Sequence, residues 1–279
     1  MDDIVFDKNM PIGFVDSGLG GISVLRQAVK IMPNEHFIYY GDSQNAPYGT
    51  KPQNEIKDLT YAAVDKLLAM GIKGLVVACN TATSAAVRSL REDYKELAIV
   101  GIEPAIKPAV ENNHGGKILV MATPMTIKQP KYQMLLAKYV DQAIIENVAC
   151  PGLMEFVESG NTDEKSLDAY FDEYILPYLD ASVETIVLGC THYPLLKKQI
   201  NSYVCKKLKL SKEDKQISLI DGGLGTSMEI KRRLSVKGLL TDLSCTEPLR
   251  SRVVFYNSGN NDKLIDMSYR LLEDNLYED

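Results

Sequence analysis

The sequence predicts an α/β protein built as two similar parallel-sheet halves. Three observations predict it. Short β-branched runs alternate with longer stretches of helical period. Two of those runs end at a cysteine with polar residues directly behind it, "GLVVACNTATSAAV" at Cys79 and "TIVLGCTHYPLL" at Cys190. Each corner is preceded, by 63 and 67 residues, by another strand that ends in a small polar loop: "IGFVDSG" with Asp16, and "ILVMATPMT" with Thr123. Such alternation argues for βαβ units and hence parallel sheets.

Taken in order, strands are expected at 12–15, 36–40, 74–78, 98–102, 117–122, 143–149, 185–188, 217–220 and 252–256. Amphipathic stretches at 52–70, 126–138, 164–181 and 195–209 predict helices. Ser17 and Thr81 can cap helices, and Pro104 and Pro194 suit a first turn. The Asn-Asn-His-Gly-Gly run at 112–116 reads as a loop. The halves should part near 98–104, and the second should end near 207. The strands at 217–220 and 252–256 could complete either half.

A chain of 279 residues, at roughly 150 per domain, fits two domains. Hydrophobic residues make up 45% and charged residues 24%, enough for a large core. Net charge of −6 with scattered basic residues argues against a nucleic-acid partner. No apolar run nears the ~18 residues of a membrane helix. The N-terminal stretch "MDDIVFDKNMPIGF" is acidic and lacks a secretory pattern, so a cytoplasmic location is expected, with no membrane partner. Five cysteines, an odd number with no C-x-x-C spacing, fit reduced thiols.

In parallel α/β sheets ligands bind beyond the carboxyl ends of the strands, where Asp16, Cys79, Thr123 and Cys190 all fall. If the halves face one another, two thiols approach one ligand from opposite sides. That suits removal of a proton from one face of a carbon and return of a proton to the other. Free cysteine titrates near pH ~8.5, so a modest push makes it a usable base. Helix N-termini after each corner, at Thr81 and Pro194, would supply part of that push and could hold a carboxylate. A single strand-end cysteine is ordinarily a small buried apolar residue; two matched corners, each with a threonine close behind, tip the balance to function. Cys150, Cys205 and Cys245 lack such settings and read as structural.

Other readings are weaker. "DSGLGG" has Ser23 where a dinucleotide fingerprint needs its third glycine, so a tight turn close to a small ligand fits better. His192 serves either packing or the neighbouring thiol, and Glu158 by spacing alone is a surface acid. A Cys190–His192 hydrolase pair would join residues two apart on a turn, a poor placement, and would leave Cys79 idle. A non-catalytic two-lobed amino-acid binder needs no thiols. Zinc on Cys79, Cys190 and His192 lacks a common ligand spacing, so no metal site is expected.

The segments "IGFVDSGLGGISVLRQ", "APYGTK", "VVACNTATSAA", "VGIEPAIKPA", "GCTHYPLL" and "LIDGG" resemble, in order, those of the glutamate racemase family, cofactor-independent bacterial enzymes that make D-glutamate for peptidoglycan. The resemblance spans residues 12 to about 223. It implies two pseudo-symmetric parallel-sheet α/β domains with the active site in the cleft between them, the first over 1–98 plus 208–279 and the second over 99–207. It implies that Cys79 and Cys190 are the acid–base catalysts, the first serving D-glutamate and the second L-glutamate. Asp16 and His192 would tune them, with Glu158 near the site. Substrate-binding positions would be Asp16, Ser17, Pro47, Tyr48, Gly49, Asn80, Thr81, Thr123, Thr126, Thr191 and His192. "MATPMTIKQPKY" departs from the family's usual serine-containing form but keeps Thr123 and Thr126. No cofactor and a homodimer are expected. A racemase acting on aspartate is the alternative within the same chemistry.

Overall fold

In the computed structural model, residues 6–210 and 216–274 are described, so the reading of the first five residues lies outside them. The chain opens with β1 (Ile12–Asp16), α1 (Ile22–Ile31), β2 (Phe37–Gly41), α2 (Gln53–Ala69), β3 (Gly74–Val77), α3 (Asn80–Asp93) and β4 (Ala98–Gly101). It continues through α4 (Ile106–Glu111), β5 (Lys117–Ala122), α5 (Pro124–Lys128), α6 (Pro130–Ala137), β6 (Ile145–Ala149), α7 (Leu153–Ser159), α8 (Glu164–Tyr174), β7 (Val183–Leu188), α9 (Lys197–Leu208) and β8 (Ser218–Asp221). It closes with α10 (Gly223–Val236), α11 (Leu249–Arg252), β9 (Val253–Asn257) and α12 (Asp262–Glu273).

All described strand pairs are parallel, in two sheets of order β4-β3-β1-β2-β9 and β6-β5-β7-β8. Read from its other edge, the second sheet runs β8-β7-β5-β6. It therefore repeats β4-β3-β1-β2 strand for strand, and β9 is the addition. In both sheets the strand leading to cysteine pairs with the strand leading to the small polar loop: β3 with β1, and β7 with β5. The weak internal repeat of the sequence is thus a repeated topology.

The topology moves the domain limits expected from the sequence. Ending the first segment at 98 would strip β4 from β3, its partner from Gly74↔Ala98 to Val77↔Gly101. Ending the second domain at 207 would strip β8 from β7, its partner from Thr185↔Ser218 to Leu188↔Asp221. The compact units are residues 1–102 with 223–279, and residues 103–222. Each repeat closes with a fourth strand, and both expected limits fell one strand short. The strand near 217–220 thus completes the second unit, and only β9 returns to the first.

Each sheet is covered on both faces, as parallel sheets require. In the first unit Phe14, Val76 and Val100 point to one side, among Leu25, Ile230 and Leu272 of α1, α10 and α12. Val15, Val77 and Ile99 point to the other, among Val64, Leu67 and Leu90 of α2 and α3. In the second unit Met121 and Ile186 meet Leu153, Phe171 and Ile200 of α7, α8 and α9, while Val120 and Val187 meet Ile106 and Tyr132 of α4 and α6. Strands buried on both faces read as continuous apolar runs, which is why β1 and β7 were conspicuous in the sequence. Among the described residues no helix is long and apolar enough to cross a membrane.

Some local expectations change. Ser17 caps no helix, because a turn separates it from α1, whose N-cap is Gly21. Thr81 lies inside α3, whose N-cap is Cys79 itself. The stretch 126–138 is broken at Gln129, where Pro130 forbids a continuous helix and starts α6. The stretch 164–181 stops as α8 at Tyr174 and continues only as a 3₁₀ turn at Leu176–Tyr178.

Candidate active site

The first unit gathers its polar residues at the carboxyl ends of β1, β2 and β3. Cys79 is buried, and its sulfur accepts the Ala82 N–H at 3.5 Å while lying 3.7 Å from Ser17 Oγ. A sulfur at an N-cap faces the unsatisfied N–H groups of a fourteen-residue helix, where negative charge is favoured. Asp16, 1% exposed, accepts the Gly18 N–H at 3.1 Å and so shapes the turn that carries Ser17. The glycines of that turn allow close packing: a Cβ on Gly21 would stand 2.8 Å from both Asp16 Cβ and Ala78 Cβ. Asn80, Thr81 and Thr83 follow on α3; Thr83 is spent on the Val77 carbonyl, and Thr81 is buried. Asn80 Oδ1 is buried with no hydrogen-bond partner among the described residues, an acceptor suited to a ligand's donor.

Pro47, Tyr48 and Gly49 follow β2. Tyr48 is buried and its hydroxyl donates to Asp42 at 2.6 Å. Burial first, then the Asp42 hydrogen bond, pushes the phenol far above its ordinary pKa, with the charges of Asp42, Cys79 and Asp16 adding to it. Tyr48 is therefore a fixed neutral donor. Asp42 was not singled out in the sequence. It also accepts from Asn45 Nδ2 at 3.0 Å, and the one available signal was its place directly after a strand.

The second unit builds a different corner at the end of β7. Cys190 is followed by a 3₁₀ turn at Tyr193–Leu196 that holds Pro194, and α9 begins only at Lys197. The expected helix N-terminus beside this thiol is therefore missing. An imidazole stands there instead: Cys190 Sγ lies 3.6 Å from His192 Nδ1, and His192 Nε2 lies 2.6 Å from Glu158 Oε1 on α7. The expectation that residues two apart on the turn are poorly placed to pair thus fails. The turn after Gly189 folds the ring back over the sulfur. His192 is 2% exposed. Burial alone would disfavour its charged form, but Cys190 and Glu158 outweigh burial and hold its pKa well above the ordinary value. The charged form of the ring, which carries two N–H donors, is thereby favoured.

At the end of β5, Thr123 caps α5 by accepting the Thr126 N–H at 3.2 Å, and the two hydroxyls lie 3.0 Å apart. Thr191 is buried behind Cys190. The structure thus gathers Asp16, Ser17, Pro47, Tyr48, Gly49, Cys79, Asn80 and Thr81 on one set of strand ends. On a second set it gathers Cys190, Thr191 and His192 with Glu158, and Thr123 with Thr126 at the neighbouring strand. Glu158 was visible only through the family resemblance, because a helix thirty-four positions away in sequence brings it to the imidazole.

The sequence pattern of the Asp/Glu/Hydantoin racemase family matches residues 13–224. A glutamate racemase of Clostridium botulinum (strain Alaska E43 / Type E3) is 45% identical over 266 residues, covering 95% of this chain and 98% of the relative. The crystal structure of the glutamate racemase isoform RacE1 of Bacillus anthracis superposes with a TM-score of 0.79 at 29% identity, covering 95% of this chain and 94% of that one. A glutamate racemase of Francisella tularensis, solved in complex with D-glutamate, superposes with a TM-score of 0.76 at 26% identity, covering 95% and 94%. With three quarters of its length matched by one family pattern and nearly all of it by relatives, this chain belongs to the Asp/Glu/Hydantoin racemase family and is an enzyme of the isomerase class.

Proposed function

We propose that this enzyme interconverts L- and D-glutamate by a two-base mechanism, with Cys79 and Cys190 working on opposite faces of the α-carbon. One observation carries the reading: the two thiols end topologically equivalent strands, β3 and β7, and each stands beside a side chain able to share a proton, Ser17 and His192. In each direction one cysteine, as thiolate, takes the α-proton, and the other, as thiol, returns a proton to the opposite face. The C–H bond that breaks is replaced by a new one with inverted configuration, so no redox partner or prosthetic group is consumed. The imidazolium of His192, held by Glu158, can pass a proton along the Cys190 axis. The Asn80 amide, the Thr81 and Thr191 hydroxyls, the Thr123–Thr126 pair and the Pro47-Tyr48-Gly49 backbone are assigned to the substrate's ammonium and carboxylates.

Glutamate is chosen over aspartate because the relatives named above are glutamate racemases and one is solved with D-glutamate. The physiological role that follows is supply of D-glutamate for peptidoglycan, by a cytoplasmic homodimer. The Cys190–His192–Glu158 chain also fits a thiol hydrolase. That reading leaves the Cys79–Ser17 corner unused and runs against the isomerase family. The test is polarimetry on purified enzyme without added cofactor. L-glutamate and D-glutamate should each relax to the racemate while aspartate keeps its rotation. Equal action on aspartate would overturn the substrate, and stable rotation of glutamate would overturn the activity.

A further inference from the structure

Cys245 is more than a structural thiol. It lies in the segment 237–248, which contains no helix or strand and connects α10 to α11. The segment is pinned to the turn before β2: the Thr241 N–H donates to Glu35 Oε1 at 2.9 Å, and the Cys245 N–H to Asn34 Oδ1 at 3.2 Å. Glu35 is itself fixed by a buried ion pair with Lys73. His36 ends that turn, and its carbonyl accepts the Ile12 N–H of β1 at 2.8 Å. Backbone contacts therefore hold His36 and Cys245 in place on firm structure, and Glu247 follows two residues later.

One ligand atom from each of His36, Cys245 and Glu247 lies within 4.8 Å of the other two, and His36 Nε2 is 3.3 Å from Glu247 Oε2. Around a tetrahedral zinc, with bonds of about 2.0–2.3 Å, ligand atoms stand about 3.3–3.8 Å apart. The imidazole and carboxylate are already at that spacing, and a side-chain rotation closes the rest. We infer that His36, Cys245 and Glu247 form a binding site for a divalent transition cation, zinc above others, with the fourth position open to solvent. The donor set decides the metal: one imidazole nitrogen, one sulfur and one carboxylate oxygen suit zinc, whereas magnesium and calcium prefer oxygen alone. Binding releases the Cys245 proton, and thiolate plus carboxylate then neutralise the cation.

Without metal, His36 and Glu247 make only an exposed pair, 40% and 53% accessible, of the kind that contributes little. With metal, three ligands would tie the 237–248 segment to the edge of β2. The test titrates cobalt(II), then zinc, into the full-length chain in the reduced state. A thiolate-to-cobalt charge-transfer band should appear at one equivalent and be displaced by zinc. It should persist when Cys79 and Cys190 are both serine, and vanish in Cys245→Ser. His36→Ala and Glu247→Gln should weaken zinc binding by more than about 10-fold. Zinc should raise the midpoint of thermal unfolding in the wild type but not in Cys245→Ser, with equal midpoints in chelator showing that the variant folds. No band, a band lost with the Cys79 and Cys190 thiols, or a band that survives Cys245→Ser would each overturn the site.

Discussion

Glu158 Oε1 lies 2.6 Å from His192 Nε2, and the opposite nitrogen of the same ring faces the Cys190 sulfur at 3.6 Å. A carboxylate on α7 therefore holds an imidazole whose other nitrogen faces a thiol on another element. In the proposed reaction Glu158 acts through His192, as a positioning residue.

Replacing Glu158 with Gln keeps the shape and removes the charge. Turnover of glutamate should fall about 10–100-fold, as when the outer partner of a functional histidine is lost. The effect should carry a pH signature that a merely structural residue would not show. Burial, now less opposed, pulls the His192 pKa down, so the activity profile should move to lower pH. The stability effect has a definite sign. The raised pKa of His192 contributes stability that is full below its unfolded value near ~6.5 and is lost as pH rises through the folded value. The gap in stability between wild type and Glu158→Gln should thus be widest just below about pH 6.5 and shrink as pH rises on the alkaline side. Denaturant titrations across pH measure it, and a gap that widens toward high pH would remove this role.

Gly189 tests how tightly the second corner is built. Its N–H donates to the Met121 carbonyl at 2.8 Å, and a Cβ added there would stand 2.7 Å from that same oxygen. The neighbour is backbone of β5, which cannot swing aside as a side chain would. Gly189→Ala should cost about 1–3 kcal/mol in stability and lower turnover further by moving Cys190, the next residue. Thermal unfolding and kcat measure the two effects; an alanine variant matching wild type in both would show that the corner is looser than its geometry implies.

Much of this architecture could be read from the amino-acid order, and the exceptions share a cause. β1 and β7 announced themselves because both faces of each strand are buried, leaving no polar alternation to confuse them. The sheet to which β4 and β8 belong is decided by hydrogen bonds to strands far away in sequence, which a local pattern does not encode. The same holds inside the site. Cys79 and Asp16 stood out as residues at the ends of apolar runs. Asp42 and the partner of His192 did not, because each acts through a contact fixed by tertiary packing. Cys245 looked inert because His36, which it meets in space, lies some two hundred positions away in sequence.

Cys150 should behave unlike a reactive thiol although it is found beside Cys190. It is 1% exposed, and burial, with a smaller push from the Cys190 charge, raises its pKa to about 12. At pH 8 only about one molecule in ten thousand would carry the thiolate there, and the thiolate is the reactive form. Iodoacetamide on native enzyme should therefore label the partly exposed Cys205 and spare Cys150, and both should react in denaturant. Peptide mass mapping reads the result. Native Cys150 labelled as fast as Cys205 would mean that β6 and the turn after it open in solution.

The last prediction concerns Cys79→Ser and Cys190→Ser. A serine hydroxyl keeps the shape and can donate a proton, but it is a far weaker acid than a thiol and should fail mainly as the base. Folding should survive at position 79 in particular. The Cys79 sulfur caps α3 by accepting the Ala82 N–H and meets Ser17 Oγ, and serine is among the preferred residues at a helix N-cap. Forward and reverse racemisation remain tied by the equilibrium constant, so neither variant can become a one-way racemase. The asymmetry must be sought in a half-reaction that needs only the first deprotonation, such as exchange of the α-hydrogen with deuterium oxide or elimination from a glutamate analogue carrying a leaving group. Cys79→Ser should keep that step with the L-form, through Cys190, and lose it with the D-form by about 10²–10⁴-fold, the usual contribution of a positioned base. Cys190→Ser should show the reverse. Equal loss with both enantiomers in both variants, in protein with a normal unfolding transition, would defeat the claim that each thiol serves its own face of the carbon.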